Sequence, residues 1–135
     1  MADEAEQHTL PTLITGDDGR TVWSYRDWPN EARGGMQLSP RIDCSSLRLR
    51  RSGPGYAADW HVAGDPTLII IQSGKLRLIL RDGSSRDFSP GEAFIAGDHV
   101  PQGQVFDHEL HGHRAEVLGE EALLAVHIKL TSNAS

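Results

Sequence analysis

The sequence predicts an all-β fold, a single barrel of short strands. Three observations carry this reading. No amphipathic helix of useful length is legible anywhere in the 135 residues. Short apolar runs, alternating or continuous, recur along the chain. Clusters of glycine, proline, aspartate and serine separate them at roughly 8–12 residue intervals, the rhythm of a sandwich or barrel.

Taken in order, residues 1–10 carry no periodicity and stop at Pro11, so a disordered tail is expected there, followed by one domain over 11–131. Leu13 and Ile14 are expected to pair with Thr21–Tyr25 across Gly16-Asp17-Asp18-Gly19, which has the composition of a β-turn. Trp28-Pro29 through Gly34-Gly35 reads as loop, the paired glycines working against a regular element. Ser45–Arg51 alternates and reads as a half-buried strand, Leu47 and Leu49 on one face, Arg48 and Arg50 on a solvated one.

The stretch from Gly55 to Gly91 is the most informative. Thr67–Gln72 is β-branched and continuous, as in a strand covered on both faces. Ser73-Gly74 turns the chain, and Lys75–Arg81 then places Leu76, Leu78 and Leu80 inside. Asp82-Gly83 is a hairpin signal, Arg86–Phe88 a short strand, Ser89-Pro90-Gly91 a turn and Ala93–Ala96 a further strand. After an irregular stretch from Gly97 to Gly112, Ala115–Leu118 and Leu123–Leu130 read as a final hairpin around Gly119-Glu120-Glu121, with His127 on its outer face.

Composition narrows the function. A net charge of −6 argues against nucleic-acid binding, which needs a basic surface to displace counterions. No apolar run approaches a membrane span, and the acidic start Met1-Ala2-Asp3-Glu4 is unlike a secretory signal. Cys44 is the single cysteine, so no internal disulfide forms and the cytosol is the expected compartment; the residue itself reads as a small buried side chain. Seven histidines are many for this length, and five of them follow residue 98.

Gly55, His61, Ala63, Thr67 and Gly74 fall at the spacing of the first cupin motif, G-x5-H-x-H-x3–4-E-x6-G, and Pro90-Gly91 resembles the start of the second. A sub-group of small single-domain cupins is more similar still. It is matched by Gly16-Asp17-Asp18-Gly19-Arg20, Asp59-Trp60-His61-Val62-Ala63, Gln72-Ser73-Gly74 and Asp82-Gly83-Ser84-Ser85-Arg86-Asp87-Phe88-Ser89-Pro90-Gly91-Glu92. The resemblance covers roughly residues 13–130 and implies the cupin double-stranded β-helix, a jelly-roll barrel, with a homodimeric assembly. Two ligands of the first motif are replaced, by Ala63 and Thr67. In the second motif Asp98 falls on an aspartate, while the histidine position falls on Gln102, Gln104 or His113 according to spacing. The Gly112-His113-Arg114 placement keeps both the G-H-R tripeptide and the distance to the chain end, and it makes 104–111 an extra loop at the barrel mouth.

Trp60, His61, Thr67, Asp98 and His113 are therefore the expected pocket residues. His61 reads either as a ligand or proton carrier, or as a pocket histidine hydrogen-bonded to backbone or to Asp98. His111 and His113, two apart, would share a face if extended, and with His61 would make a three-nitrogen site for Zn, Fe, Mn or Ni. Against that stands the flexible Gly112 between them. His99 and His108 read as solvated loop residues, and Trp60 as a rim residue that packs or stacks. Two functions follow. One is a metal-free protein binding a small organic molecule in the barrel, which the Ala63 and Thr67 replacements favour. The other is a metal-dependent oxygenase or isomerase using His61 and His113, with Asp98 as base or support.

Overall fold

The structure, a computed structural model, describes residues 7–131. Twelve strands are formed among them: β1 (Gln7–Thr15), β2 (Thr21–Pro29), β3 (Glu31–Arg33), β4 (Met36–Leu38), β5 (Cys44–Ser52), β6 (Ala57–His61), β7 (Thr67–Ser73), β8 (Lys75–Ile79), β9 (Ser85–Phe88), β10 (Ala93–Ala96), β11 (His113–Leu118) and β12 (Leu123–Leu130). One sheet runs β2-β1-β10-β7-β12-β5, a second runs β6-β11-β8-β9, and β3-β4 stand apart as a hairpin. Within β5–β12 the chain changes sheet at every step except the β8–β9 hairpin. That alternation, with orders β5-β12-β7-β10 and β6-β11-β8-β9, is the two-Greek-key jelly roll. The all-β jelly-roll barrel is what the sequence led us to expect.

The core lies between the sheets. Leu13, Ile69, Ile71, Phe94, Leu123 and Ala125 from the six-stranded sheet meet Leu76, Leu78, Phe88 and Val117 from the four-stranded one, and Leu80 joins them just past β8. The alternation at Leu76, Leu78 and Leu80 points inward as expected, all three being buried. Gly74 is where two crossovers meet. Its φ is +83°, and a Cβ there would lie 2.5 Å from the Ala122 carbonyl oxygen, so no larger residue fits.

Five expectations about the fold are corrected. Gln7–Leu10 belong to β1, paired with Arg26–Pro29, so the chain is ordered before Pro11; residues 1–6 lie outside the described residues. Gly34 and Gly35, both at positive φ, are the turn of the β3–β4 hairpin rather than a break in a loop. β11 and β12 do not form a hairpin, since each joins a different sheet. Cys44, at the start of β5, is exposed.

The largest correction concerns which face of the six-stranded sheet looks inward. Ser52 and Arg50 of β5 line the barrel interior, and Arg48 pairs with His127, so Arg48, Arg50 and His127 share the inner face with buried Ala125 and Leu123. Leu47 and Leu49 point outward and are 61% and 71% exposed. Strand alternation tells which residues share a face and leaves open which face it is, because a one-residue step exchanges them. Further along the same outer face a second apolar cluster forms from Trp28, Ile95 and Leu130, with Leu10, Ile42, Leu68 and Ile128 against it.

Candidate functional site

The site is built where β6 ends and β11 begins. His61 and His113 are directly opposite in the antiparallel β6–β11 pair, and their rings lie 4.5 Å apart, centroid to centroid. The register shifts just beyond them, between His113 and Ala115. Such an irregularity bends the strand and re-aims side chains at a barrel rim.

Asp98, in the segment after β10, is wholly buried behind His113. Its Oδ2 accepts hydrogen bonds from His113 Nδ1 at 2.7 Å and from the Thr21 hydroxyl at 2.8 Å, and its Oδ1 accepts the Ala63 amide at 3.0 Å. Burial pushes the Asp98 carboxyl up, but the bonds from His113, Ala63 and Thr21 outweigh it and leave the carboxyl below its ordinary value. An ionised carboxylate only accepts, so His113 Nδ1 carries a proton, and whenever the ring is neutral its Nε2 carries the lone pair. His61 is fixed in the same tautomer, because its Nδ1 lies 2.7 Å from the Asp59 carbonyl oxygen, which can only accept. Burial holds its pKa below the ordinary value despite that bond, and the neighbouring His113 adds to the effect. Two imidazole Nε2 atoms are thus prepared as acceptors.

Both rings line a cavity of about 80 Å³. Ile69, Leu76, Leu78, Phe94, Val117 and Leu123 make its apolar end, and Arg50, Ser52, Tyr56 and His127 complete its polar side. Arg50, Tyr56 and His127 were not singled out from the sequence. The signal that could have found His127 is its alternation with Ala125, whose small side chain suits a barrel interior. His127 is therefore an inner-face residue, not an outer one.

The other expected site residues are placed elsewhere. Trp60 lies outside the cavity wall, under the guanidinium of Arg81 at 3.7 Å, with Arg114 at 5.7 Å. Thr67 is buried, its hydroxyl donating to the Asp65 carbonyl at 3.0 Å. His111 is buried with both nitrogens engaged, Nδ1 accepting the Asp107 amide at 2.9 Å and Nε2 donating to Gln104 Oε1 at 3.2 Å. It anchors the 104–111 loop and does not face the site, because Gly112 at φ +91° breaks the alternation that would have aligned it with His113. Arg81 secures the same loop through the carbonyls of His108 and His111. His113, rather than Gln102 or Gln104, is the residue set against His61.

This donor set does not fit the metal site of the first cupin motif. Among the described residues no group of three or more His, Cys, Asp or Glu side chains is placed to hold a metal ion. Asp98 spends its oxygens on Thr21, Ala63 and His113, and His111 has no free nitrogen, so of the expected ligands only the His61 and His113 imidazoles remain.

No protein-family model matches the sequence, and no curated protein matches it. Among solved structures, the chain is similar to a cupin superfamily protein from Desulfitobacterium hafniense, at 18% identity over 76% of this chain and 84% of that one, with a TM-score of 0.46. A cupin domain from Bordetella pertussis overlaps at 14% identity, 96% and 100% coverage and a TM-score of 0.47. A cupin domain from Schizosaccharomyces pombe does so at 12% identity, 93% and 86% coverage and a TM-score of 0.43. These likenesses are loose, and the jelly-roll order of the strands stands on its own pairings. Among the described residues no helix is long and apolar enough to cross a membrane.

Proposed function

We propose that the chain binds a small organic molecule in the mouth of its jelly-roll barrel and does so without a metal ion. The observation that carries this reading is the pair of Nε2 acceptors. His61 and His113 face each other at the cavity wall, each with its Nδ1 proton committed to a protein oxygen. A ligand hydroxyl or amine is the natural partner for such atoms. A second reading, proton transfer, is favoured by the buried Asp98 behind His113, which stabilises an imidazolium once one forms. The metal-dependent oxygenase or isomerase would need a third donor beyond His61 and His113.

The test is elemental analysis of protein purified without a His-tag or chelator. Well under one Zn, Fe, Mn or Ni per chain is expected, unchanged in His61→Ala and His113→Ala. Stoichiometric metal that disappears in either variant overturns the metal-free reading.

A homodimer is part of the same proposal. β5 is an edge strand of nine residues, and an uncovered edge of that length pairs readily with its own copy across a two-fold axis. Exposed Leu47 and Leu49 on that strand support a second copy as the partner. An exposed, unpaired Cys44 is the kind of thiol that persists in a reducing compartment, which supports a cytosolic setting.

A further inference from the structure

Basic side chains that have no carboxylate partner among the described residues gather on the inner face of β5 and β12. Arg48 and Arg50 share the inner face of β5, and across the β12 pairing Arg48 lies opposite His127 while Lys129 lies opposite Ser46. Ser46, Leu47, Arg48, Arg50, His127 and Lys129 line a recess of about 510 Å³. Arg50 and His127 also belong to the wall of the 80 Å³ inner cavity, so the recess borders the site at these two residues.

No Asp or Glu among the described residues pairs with Arg48, Arg50 or Lys129. Arginine ion pairs there include Arg33–Glu31, Arg77–Asp87 and Arg114–Glu116. The net charge of −6 makes this run of positive charge stand out. The partner of the Arg50 guanidinium is the neutral Tyr56 hydroxyl, at 3.3 Å. His127 responds to the same field: burial, then Arg50 and Lys129, bring its pKa down to about 4. Like charges held together repel one another, and an anion is what relieves them.

We propose that this recess takes the carboxylate head of a small organic acid. Arg50 grips the head beside neutral His127, and Arg48 and Lys129 supply the surrounding positive potential. The body of the acid runs into the inner cavity toward His61 and His113. A planar guanidinium matches a carboxylate with two parallel hydrogen bonds. The inner cavity, at 80 Å³, is far below the roughly 300–1,000 Å³ of drug-sized pockets, and its deep wall is aliphatic and aromatic. A short, mainly aliphatic acid therefore fits. The inference rests on the reading of the barrel as a ligand-binding site and names the class of that ligand.

The experiment is calorimetric and ligand-observed NMR binding of pentanoate and pentanamide to the full chain, with Arg50→Gln and Arg48→Gln as variants and inorganic phosphate as a competitor. Pentanoate is expected to bind and to shift the His127 ring resonances. Its affinity should fall about tenfold or more in Arg50→Gln, the scale of a lost charge-assisted bond, and by less in Arg48→Gln. Pentanamide should bind at least about tenfold more weakly than the acid. Thermal unfolding of both variants, each at an exposed position, confirms that they are folded. Equal affinity for acid and amide, or an Arg50→Gln affinity equal to the parent's, overturns the anion site and leaves the barrel's binding role standing. Phosphate binding as tightly as pentanoate, an adventitious ion only, overturns it too. If neither acid nor amide binds, both the anion site and the binding role fall.

Discussion

Gly112 lies directly against the peptide of His61: a Cβ built on it would stand 2.4 Å from the His61 carbonyl oxygen and 2.7 Å from its carbonyl carbon. The contact sets how closely the start of β11 approaches the end of β6, and hence how the two imidazoles meet. The obstacle is backbone, which cannot swing aside as a flexible side chain would. Gly112 also sits at φ +91°, where side chains are strained.

Gly112→Ala should therefore cost about 2–4 kcal/mol of stability, combining steric displacement with backbone strain. Urea unfolding measures it. A midpoint within error of the parent's would mean that β11 can move away from His61 freely.

Asp98→Asn should destabilise the fold by about 3 kcal/mol or more and release the His113 tautomer. The carboxylate accepts from three donors, and an amide turns its NH₂ toward at least one of them. Nitrogen NMR of His113 reads the tautomer directly. Thr21→Val, which removes one donor and leaves the charge, should cost about 1 kcal/mol.

Stability should decline as the pH falls from about 6.5 toward about 4. The pKa of His127 is lowered from 6.5 to about 4 in the folded chain, so in that window the unfolded chain binds the extra proton. His61, also lowered by burial, acts in the same direction. Melting temperature against pH tests this, and His127→Asn should flatten the profile. An identical slope in parent and variant would remove His127 from the account.

Replacing Leu47 and Leu49 together by aspartate should convert a dimer to a monomer with little loss of fold stability, since both side chains are largely exposed within one chain. Light scattering after size-exclusion chromatography shows the mass. A parent chain that is already monomeric at high concentration would refute the edge-strand dimer.

Much of the fold is legible in the chain, because its turn residues are specific. Gly74 and Asp82-Gly83 punctuate strands whose inward positions, Leu76, Leu78 and Leu80, alternate cleanly. Strands β5 and β12 mislead because the six-stranded sheet carries apolar residues on both faces. Leu124, Val126, Ile128 and Leu130 are bulkier than Leu123, Ala125, His127 and Lys129, yet they form the outward set, with Ile128 and Leu130 in the second cluster. The meeting of His61 with His113 could be read from the Gly112-His113-Arg114 tripeptide. The separation of His111 from them could not, since it depends on one backbone torsion at Gly112. Arg50 entered the site for a similar reason, its inward direction being a property of sheet pairing rather than of local composition.

The crossing pattern of the roll also bears on how the chain folds. His61 and His113 come from strands that are neighbours in space but stand at opposite ends of the intervening Greek-key turns, with β7 through β10 between them in sequence. Such pairings form late, because a long loop must close before any contact rewards it. The two imidazoles should thus come together among the final steps of folding, after the β8–β9 hairpin. Any signal from the His61–His113 pair during refolding would time the closure of the barrel itself.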